Sequence, residues 1–180
     1  MKDSLDRSAW VSAGLAALAD KGLDAVRIER LAADLKVTKG SFYWHFRDRG
    51  DLLATMVEAW RTSATTDIIT RVEAKANDPA DRLRTLFATV LRADGRLEMA
   101  MRDWAARDAA VGAVVAETDA RRVAYVEALF AAIGVPAAEA GARARFAYQA
   151  LIGHFRMGAG AADERVREAL EIILPLMSRP

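Results

Sequence analysis

The stretch from Val37 to Leu52 crowds Phe42, Tyr43, Trp44, His45 and Phe46 together with Lys39, Arg47 and Arg49. Buried aromatics on a helix recur three or four residues apart, and only Phe42 and Phe46 satisfy that spacing, so Tyr43, Trp44 and His45 face elsewhere. Exposed flat polar rings flanked by cations suit the phosphate oxygens and base edges of a nucleic acid. The same residues offer little to a metal or a nucleophile. The chain has no cysteine and two histidines, His45 and His154, which fall on different helices of the pattern. Thiolate zinc sites, cysteine nucleophiles and thiol redox chemistry are thereby excluded, and neither a metal site nor a cofactor is expected. His154 with Arg156 and Glu98 or Glu139 could be imagined as an acid–base group, but no motif fixes their geometry, so no catalytic residue is assigned and an enzyme is not expected.

Charge must be read by segment, because whole-chain charge is a blunt measure when cations are confined to one face. The total is +1, yet from Arg27 to Arg49 six cations stand against Glu29, Asp34 and Asp48, a local +3 on a remainder of −2. A basic N-terminal piece on a neutral to acidic body suggests two tasks in one chain. At 180 residues the chain can bury a core without disulfide or metal staples. No run approaches the roughly 18 apolar residues of a membrane span, and Asp3 and Asp6 do not fit a signal peptide. A soluble cytoplasmic protein without a membrane partner is the expectation.

The elements that must position the aromatic segment are helices. Apolar residues recur at helical spacing almost throughout and no alternating β-branched run appears, so the chain reads as all-α with about nine helices. The first runs from about Asp6 to Lys21 and stops at Gly22. The second spans about Ile28 to Leu35, and Thr38 is expected to cap the third with its hydroxyl while Val37 plugs the turn between them. Asp48 caps a fourth that continues towards Ala76, and Asp78-Pro79 opens a fifth with its stripe at Leu83, Leu86, Phe87, Val90 and Leu91. A short helix follows at about Leu97 to Ala105, then a long one from Asp108 to Ile133 ended by Gly134-Val135-Pro136. The eighth, Ala137 to Met157, is dense in small residues, and the ninth, Asp163 to Met177, aligns Val166, Leu170, Ile173, Leu174 and Met177. Two short helices joined by Lys36-Val37-Thr38 form a helix-turn-helix, whose second member can enter the major groove.

Residues 10–53 resemble the tetracycline-repressor (TetR/AcrR) family of one-component transcriptional regulators. The likeness is carried by Gly22-Leu23, Ile28, Leu31-Ala32, the run Val37-Thr38-Lys39-Gly40-Ser41-Phe42-Tyr43-Trp44-His45-Phe46, and Asp51-Leu52-Leu53. The rest of the chain is similar only in helix count, Asp78-Pro79, Arg102-Asp103-Trp104-Ala105 and the Ala-rich helix ending Gly153-His154. The resemblance implies a helix-turn-helix DNA-binding domain at residues 1–50 and a ligand-binding and dimerisation domain at 51–180. It implies that Tyr43, His45 and Arg49 hold phosphates, that Lys39, Ser41 and Trp44 lie nearest bases or sugars within a contact set that includes Thr38 and Gly40, and that Phe42 and Phe46 are structural. Two positions depart from the family pattern. Arg27 replaces a capping Ser or Thr at a cost of about 1 kcal/mol and adds a cation for phosphate. Lys36 replaces a turn glycine, so a left-handed backbone there costs roughly 1 to 2 kcal/mol.

A helix-turn-helix usually reads two half-sites roughly 34 to 36 Å apart, which calls for a homodimer. The last two helices can supply it as half of a four-helix bundle. The resemblance also suggests an effector cavity among the middle helices, for which Trp60, Phe87, Met101, Trp104, Tyr125, Phe146 and Gln149 are the expected contacts; such side chains suit an apolar or aromatic ligand. The function implied is a ligand-responsive regulator, most often a repressor, on palindromic double-stranded operator DNA. Two alternatives stay open on the sequence: an all-α small-molecule carrier or enzyme using the central pocket, and a module whose aromatic segment binds another protein.

Overall fold

The computed structural model describes residues 6–158 and 164–178, and all regular structure among them is helical. In chain order the α-helices are α1 (Arg7–Lys21), α2 (Ile28–Asp34), α3 (Lys39–Phe42), α4 (Arg49–Arg61), α5 (Asp67–Lys75), α6 (Pro79–Val90), α7 (Arg96–Ala105), α8 (Ala109–Ala132), α9 (Ala137–Arg156) and α10 (Glu164–Met177). A π turn at Thr62–Thr66 joins α4 to α5 without a break. Counted as one, these two make nine helical rods among the described residues, the number expected. The side chains of Val166 and Leu170, two members of the expected α10 stripe, lie outside the described residues.

The helix ends follow their capping chemistry. Asp6 accepts the Ala9 backbone N–H at 2.9 Å, and Gly22, at φ 77°, closes α1 by returning its N–H to the Leu18 carbonyl. Asp48 accepts the N–H of Asp51 at 2.9 Å, and Asp78 accepts from Ala80 and Asp81 with Pro79 in the first turn of α6. Satisfying otherwise orphaned donors in this way contributes about 1 kcal/mol per cap. Thr38 corrects one expectation. It occupies the cap position of α3 with extended backbone, but its hydroxyl makes no capping bond and Ser41 N–H is taken by the Thr38 carbonyl instead.

The chain forms two compact units. The first comprises residues up to 63 with 96–115. Its core is built from Trp10, Leu18, Leu31, Phe42, Phe46, Leu52, Met56, Trp60 and Met101, all nearly inaccessible. α1 is the hub, packed on α2, α4 and α7. Gly14 lets α4 approach: a Cβ there would lie 2.6 Å from Met56 Sδ. The boundary expected at residue 50 therefore falls inside an intact helix, because Leu52, Met56 and Trp60 bury α4 in this unit. Arg96 ties α7 to α1 through Asp20 at 2.7 Å.

The second unit comprises residues 64–95 and 116 onwards. Val72, Leu83, Leu86, Phe87, Val126, Leu129, Phe130, Val135, Ala140, Ala144 and Ala147 form its core. The small residues Ala140, Ala144 and Ala147, which the sequence offers to a partner helix, are thus consumed by packing within the unit. The polar tie between α5, α6 and α8 runs through Glu73, which accepts the Tyr125 hydroxyl at 2.7 Å and pairs with Arg82 at 2.9 Å. Burial, then the bond to Glu73, pushes the Tyr125 hydroxyl well above the ordinary tyrosine range. No helix among the described residues is long and apolar enough to cross a membrane.

Candidate nucleic-acid interface

The link from α2 to α3 is a tight turn made by backbone. Lys36 N–H returns to the Ala33 carbonyl at 3.1 Å and Val37 N–H to the Ala32 carbonyl at 3.0 Å. Lys36 adopts φ 57°, the left-handed conformation in which a Cβ is strained. Val37 is half-buried beneath the turn. α3 has four residues and continues as turns through His45, with His45 N–H and Phe46 N–H both bonded to the Phe42 carbonyl at 2.9 and 3.0 Å.

Two rings hold this segment and two others leave it. Phe42 and Phe46 are buried and stack at 5.2 Å, and Trp10 of α1 meets Phe42 edge-on at the same separation. Burying each ring contributes roughly 1.5 to 3 kcal/mol, so the segment is clamped from behind. Arg7 lies over the Phe46 ring at 4.7 Å and bonds Thr55 at 2.9 Å, tying the start of α1 to α4. Tyr43 is left 55% exposed and Trp44 88% exposed. Trp44 thus stands open to solvent beside a ring pair buried behind it.

The other expected contacts divide. Thr38, Lys39, Gly40 and Tyr43 are exposed, and Ser41 and His45 half-exposed, all within six residues of Trp44. Arg27 is exposed at the start of α2; it makes no side-chain cap, and its Nε donates to the Asp24 carbonyl at 2.9 Å. Arg49 is drawn inward. Its Nε donates to the Val26 carbonyl at 2.6 Å and its Nη2 to the Leu23 carbonyl at 3.1 Å, so it ties α4 to the 3-10 turn Leu23–Ala25. Two of its guanidinium nitrogens are thereby held by backbone carbonyls, and the residue stays half-exposed. Arg47 is more open, although its backbone N–H is held by Asp51 at 3.1 Å.

Lys39 has a partner that the sequence reading missed. Its Nζ lies 2.5 Å from Glu29 Oε1 on α2, with both side chains more than half exposed. The hydrogen bond and charge of Glu29 raise the lysine above its ordinary range, with a smaller contribution from Tyr43, and the bond from Lys39 lowers the Glu29 carboxyl. Ten residues separate the two, so neither helical spacing nor strand alternation could pair them; only the turn at Lys36 does.

The seven expected effector contacts fall in both units. Trp60, Met101 and Trp104 are buried in the first, where they are core. In the second, Phe87 is buried, Tyr125 is bonded to Glu73, Gln149 is exposed and Phe146 is 64% exposed. Phe146 and Gln149 lie on the outward face of α9 with Ala142, Arg145 and Ala150. A polar cluster that the sequence did not announce also lies in the second unit. Arg122 donates to Thr65 Oγ1 at 2.8 Å, to the Tyr148 hydroxyl at 3.0 Å and to the Ala64 carbonyl at 3.2 Å. The one signal for it is the run Thr62-Ser63-Ala64-Thr65-Thr66, whose hydroxyls compete with helical hydrogen bonding.

A buried aromatic clamp behind an exposed helix-turn-helix is the arrangement in which a nucleic-acid-reading domain presents its second helix. Residues 11–56 match the family described as bacterial regulatory proteins, tetR family. The tetracycline repressor protein class G of Vibrio anguillarum is 38% identical over 55 residues, which is 31% of this chain and 26% of that protein. The aligned stretch spans about a quarter of the length of the curated relatives it matches. Two solved structures share the fold across 96% of this chain and 96% of theirs. They are a transcriptional regulator from Rhodococcus sp. Rha1, at TM-score 0.75 and 19% identity, and a TetR/AcrR-family regulator from Thermobifida fusca YX-ER1, at 0.66 and 17%. Residues 11–56 are thus similar to the N-terminal segment of the tetR family of bacterial regulatory proteins, and the chain as a whole shares the fold of the two solved regulators.

Proposed function

We propose that the chain is a cytoplasmic transcriptional regulator that binds palindromic operator DNA as a homodimer, acts as a repressor, and is released or modulated by a small apolar or aromatic effector. The observation that carries the reading is the division of one short segment into buried Phe42 and Phe46 and exposed Tyr43 and Trp44. On a duplex, Tyr43 and His45 reach phosphates, Lys39, Ser41 and Trp44 reach base edges or sugars, Thr38 and Gly40 bring the backbone close, and Arg27 adds a phosphate contact from α2. What supports the dimer is the outward face of α9 and the exposed Ile172, Ile173 and Leu176 of α10, more apolar surface than a helix leaves to water without a partner. An effector works through its differential affinity for dimers with different reader separations; a ligand indifferent to that separation changes nothing.

The test is binding to duplexes selected from random DNA, followed across salt. Contacts to several phosphates make affinity fall steeply between 50 and 200 mM salt, by about 10³-fold or more for six or more contacts. Tyr43→Ala combined with Lys39→Ala should weaken binding at least tenfold while leaving the oligomeric state unchanged. Salt-insensitive binding, or an unaffected double variant, would count against the proposal.

A further inference from the structure

Glu29 is an anion where a DNA reader should have none. It sits in the first turn of α2, 67% exposed on its side chain, within a segment whose other charges are mainly positive. A bare carboxylate there would repel every phosphate near it. Glu29 is not bare, because Lys39, the first residue of α3, neutralises it at 2.5 Å. Lys39 and Tyr43 are both exposed and lie four residues apart, about one helical turn, so the pair neighbours the exposed aromatic group. The first residues of a recognition helix are those that meet base edges.

A salt-bridged lysine and glutamate present one cationic donor and one anionic acceptor side by side. In the major groove a G·C pair presents the complement: the O6 and N7 acceptors of guanine beside the N4 amino donor of cytosine. A·T offers a different order, with its one amino donor between adenine N7 and thymine O4, so the lysine finds a single acceptor in place of two and the carboxylate meets thymine O4 beside the amino group it would take. Resting on the DNA-binding reading above, we infer that Glu29 and Lys39 act as one specificity-determining couple that selects a G·C pair in each half-site. Lys39 donates to guanine and Glu29 accepts from cytosine. The couple has no net charge, so it adds base discrimination with little counterion release, and its exposure lets both side chains turn to the groove at small cost.

The experiment selects bound duplexes from a random-sequence double-stranded DNA library with the full chain, with Glu29→Gln and with Lys39→Met. Competition binding then uses four duplexes varied at each specified position. The unaltered protein should specify G·C at one position per half-site. Both variants should lose preference at that same position, by about 5- to 100-fold, and keep it elsewhere. Glu29 is exposed, so circular dichroism of the variants should match the parent. Three results overturn the couple: Glu29→Gln keeping every base preference while binding all sequences more tightly, the two variants losing different positions, or preference collapsing at all positions together. If the unaltered chain enriches no sequence while remaining folded, the DNA-binding reading itself fails, and this inference with it.

Discussion

Lys36 holds the turn of the helix-turn-helix at φ 57°, and a side chain there costs roughly 1 to 2 kcal/mol against glycine. Glycine would lose more chain entropy on folding, about 0.5 to 1 kcal/mol, so the relief wins by a narrow margin. Lys36→Gly should stabilise the protein by about 0.5 to 1 kcal/mol, read as a higher denaturant midpoint at unchanged slope; a lower midpoint would mean that the lysine is held by something beyond the turn. Phe42→Ala tests the opposite extreme. It empties a fully buried site between Trp10 and Phe46 and should cost about 3 to 5 kcal/mol, with loss of DNA binding following loss of the fold. Both effects were legible in the sequence, one from a missing turn glycine and the other from the four-residue spacing of Phe42 and Phe46. Arg49 was not, because its inward turn depends on the carbonyls of Leu23 and Val26, which reach it only after α1 and α4 have packed. Glu29 was hidden for the same reason: its partner is brought to it by a turn, and pattern reading sees along one helix at a time.

At the scale of elements, starts and stops could be read to within a residue or two because they depend on local caps such as Asp6, Asp48, Asp78 and Gly22. Irregularities inside helices depend on tertiary partners and were not readable. The π turn at Thr62–Thr66 is such a case: on its C-terminal side Arg122 takes the Ala64 carbonyl and the Thr65 hydroxyl, and Arg121 donates to Thr66 at 3.1 Å. A guanidinium filling three acceptors at once makes the cluster costly to break, so Arg122→Met should destabilise the second unit by about 2 to 4 kcal/mol, measured by chemical denaturation; a change under about 0.5 kcal/mol would show that water replaces the guanidinium freely. The bond from Tyr125 to Glu73 carries a pH signature. A hydroxyl held above its unfolded value of 10.0 contributes stability in full below pH 10, and that contribution is lost as pH rises beyond it, because only the unfolded chain ionises readily. The gap in denaturation midpoint between the parent and Tyr125→Phe should therefore be constant from pH 7 to 9 and shrink by pH 11. A constant gap at all three would place its cause in packing alone.

For the whole molecule, the question is what covers α9 and α10. The sequence offered the small residues of α9 to a partner, but Ala140, Ala144 and Ala147 face the core, and a Cβ at Gly141 would meet the Glu127 carboxylate at 3.2 Å. The face left outward runs through Ala142, Arg145, Phe146, Gln149 and Ala150, at the three- and four-residue spacing of one helical stripe, and a Cβ at Gly153 would meet nothing within 4 Å. Small residues around a single exposed phenylalanine let a second helix approach closely and close over the ring. A two-fold axis through this face would set each Phe146 against its symmetry mate or its neighbours. Phe146→Lys places a charge in that contact without disturbing the core, since Phe146 is 64% exposed in one chain. The parent should sediment at twice the 19.6 kDa of one chain and the variant at that mass itself, with unchanged helix content. Linking two readers makes binding of the second half-site intramolecular, so losing the dimer should weaken operator binding by about 100-fold or more while leaving affinity for one isolated half-site intact. A variant that still sediments as a dimer would move the axis off α9, and one that is monomeric yet binds the full operator as tightly as the parent would show that each chain reads its half-site alone.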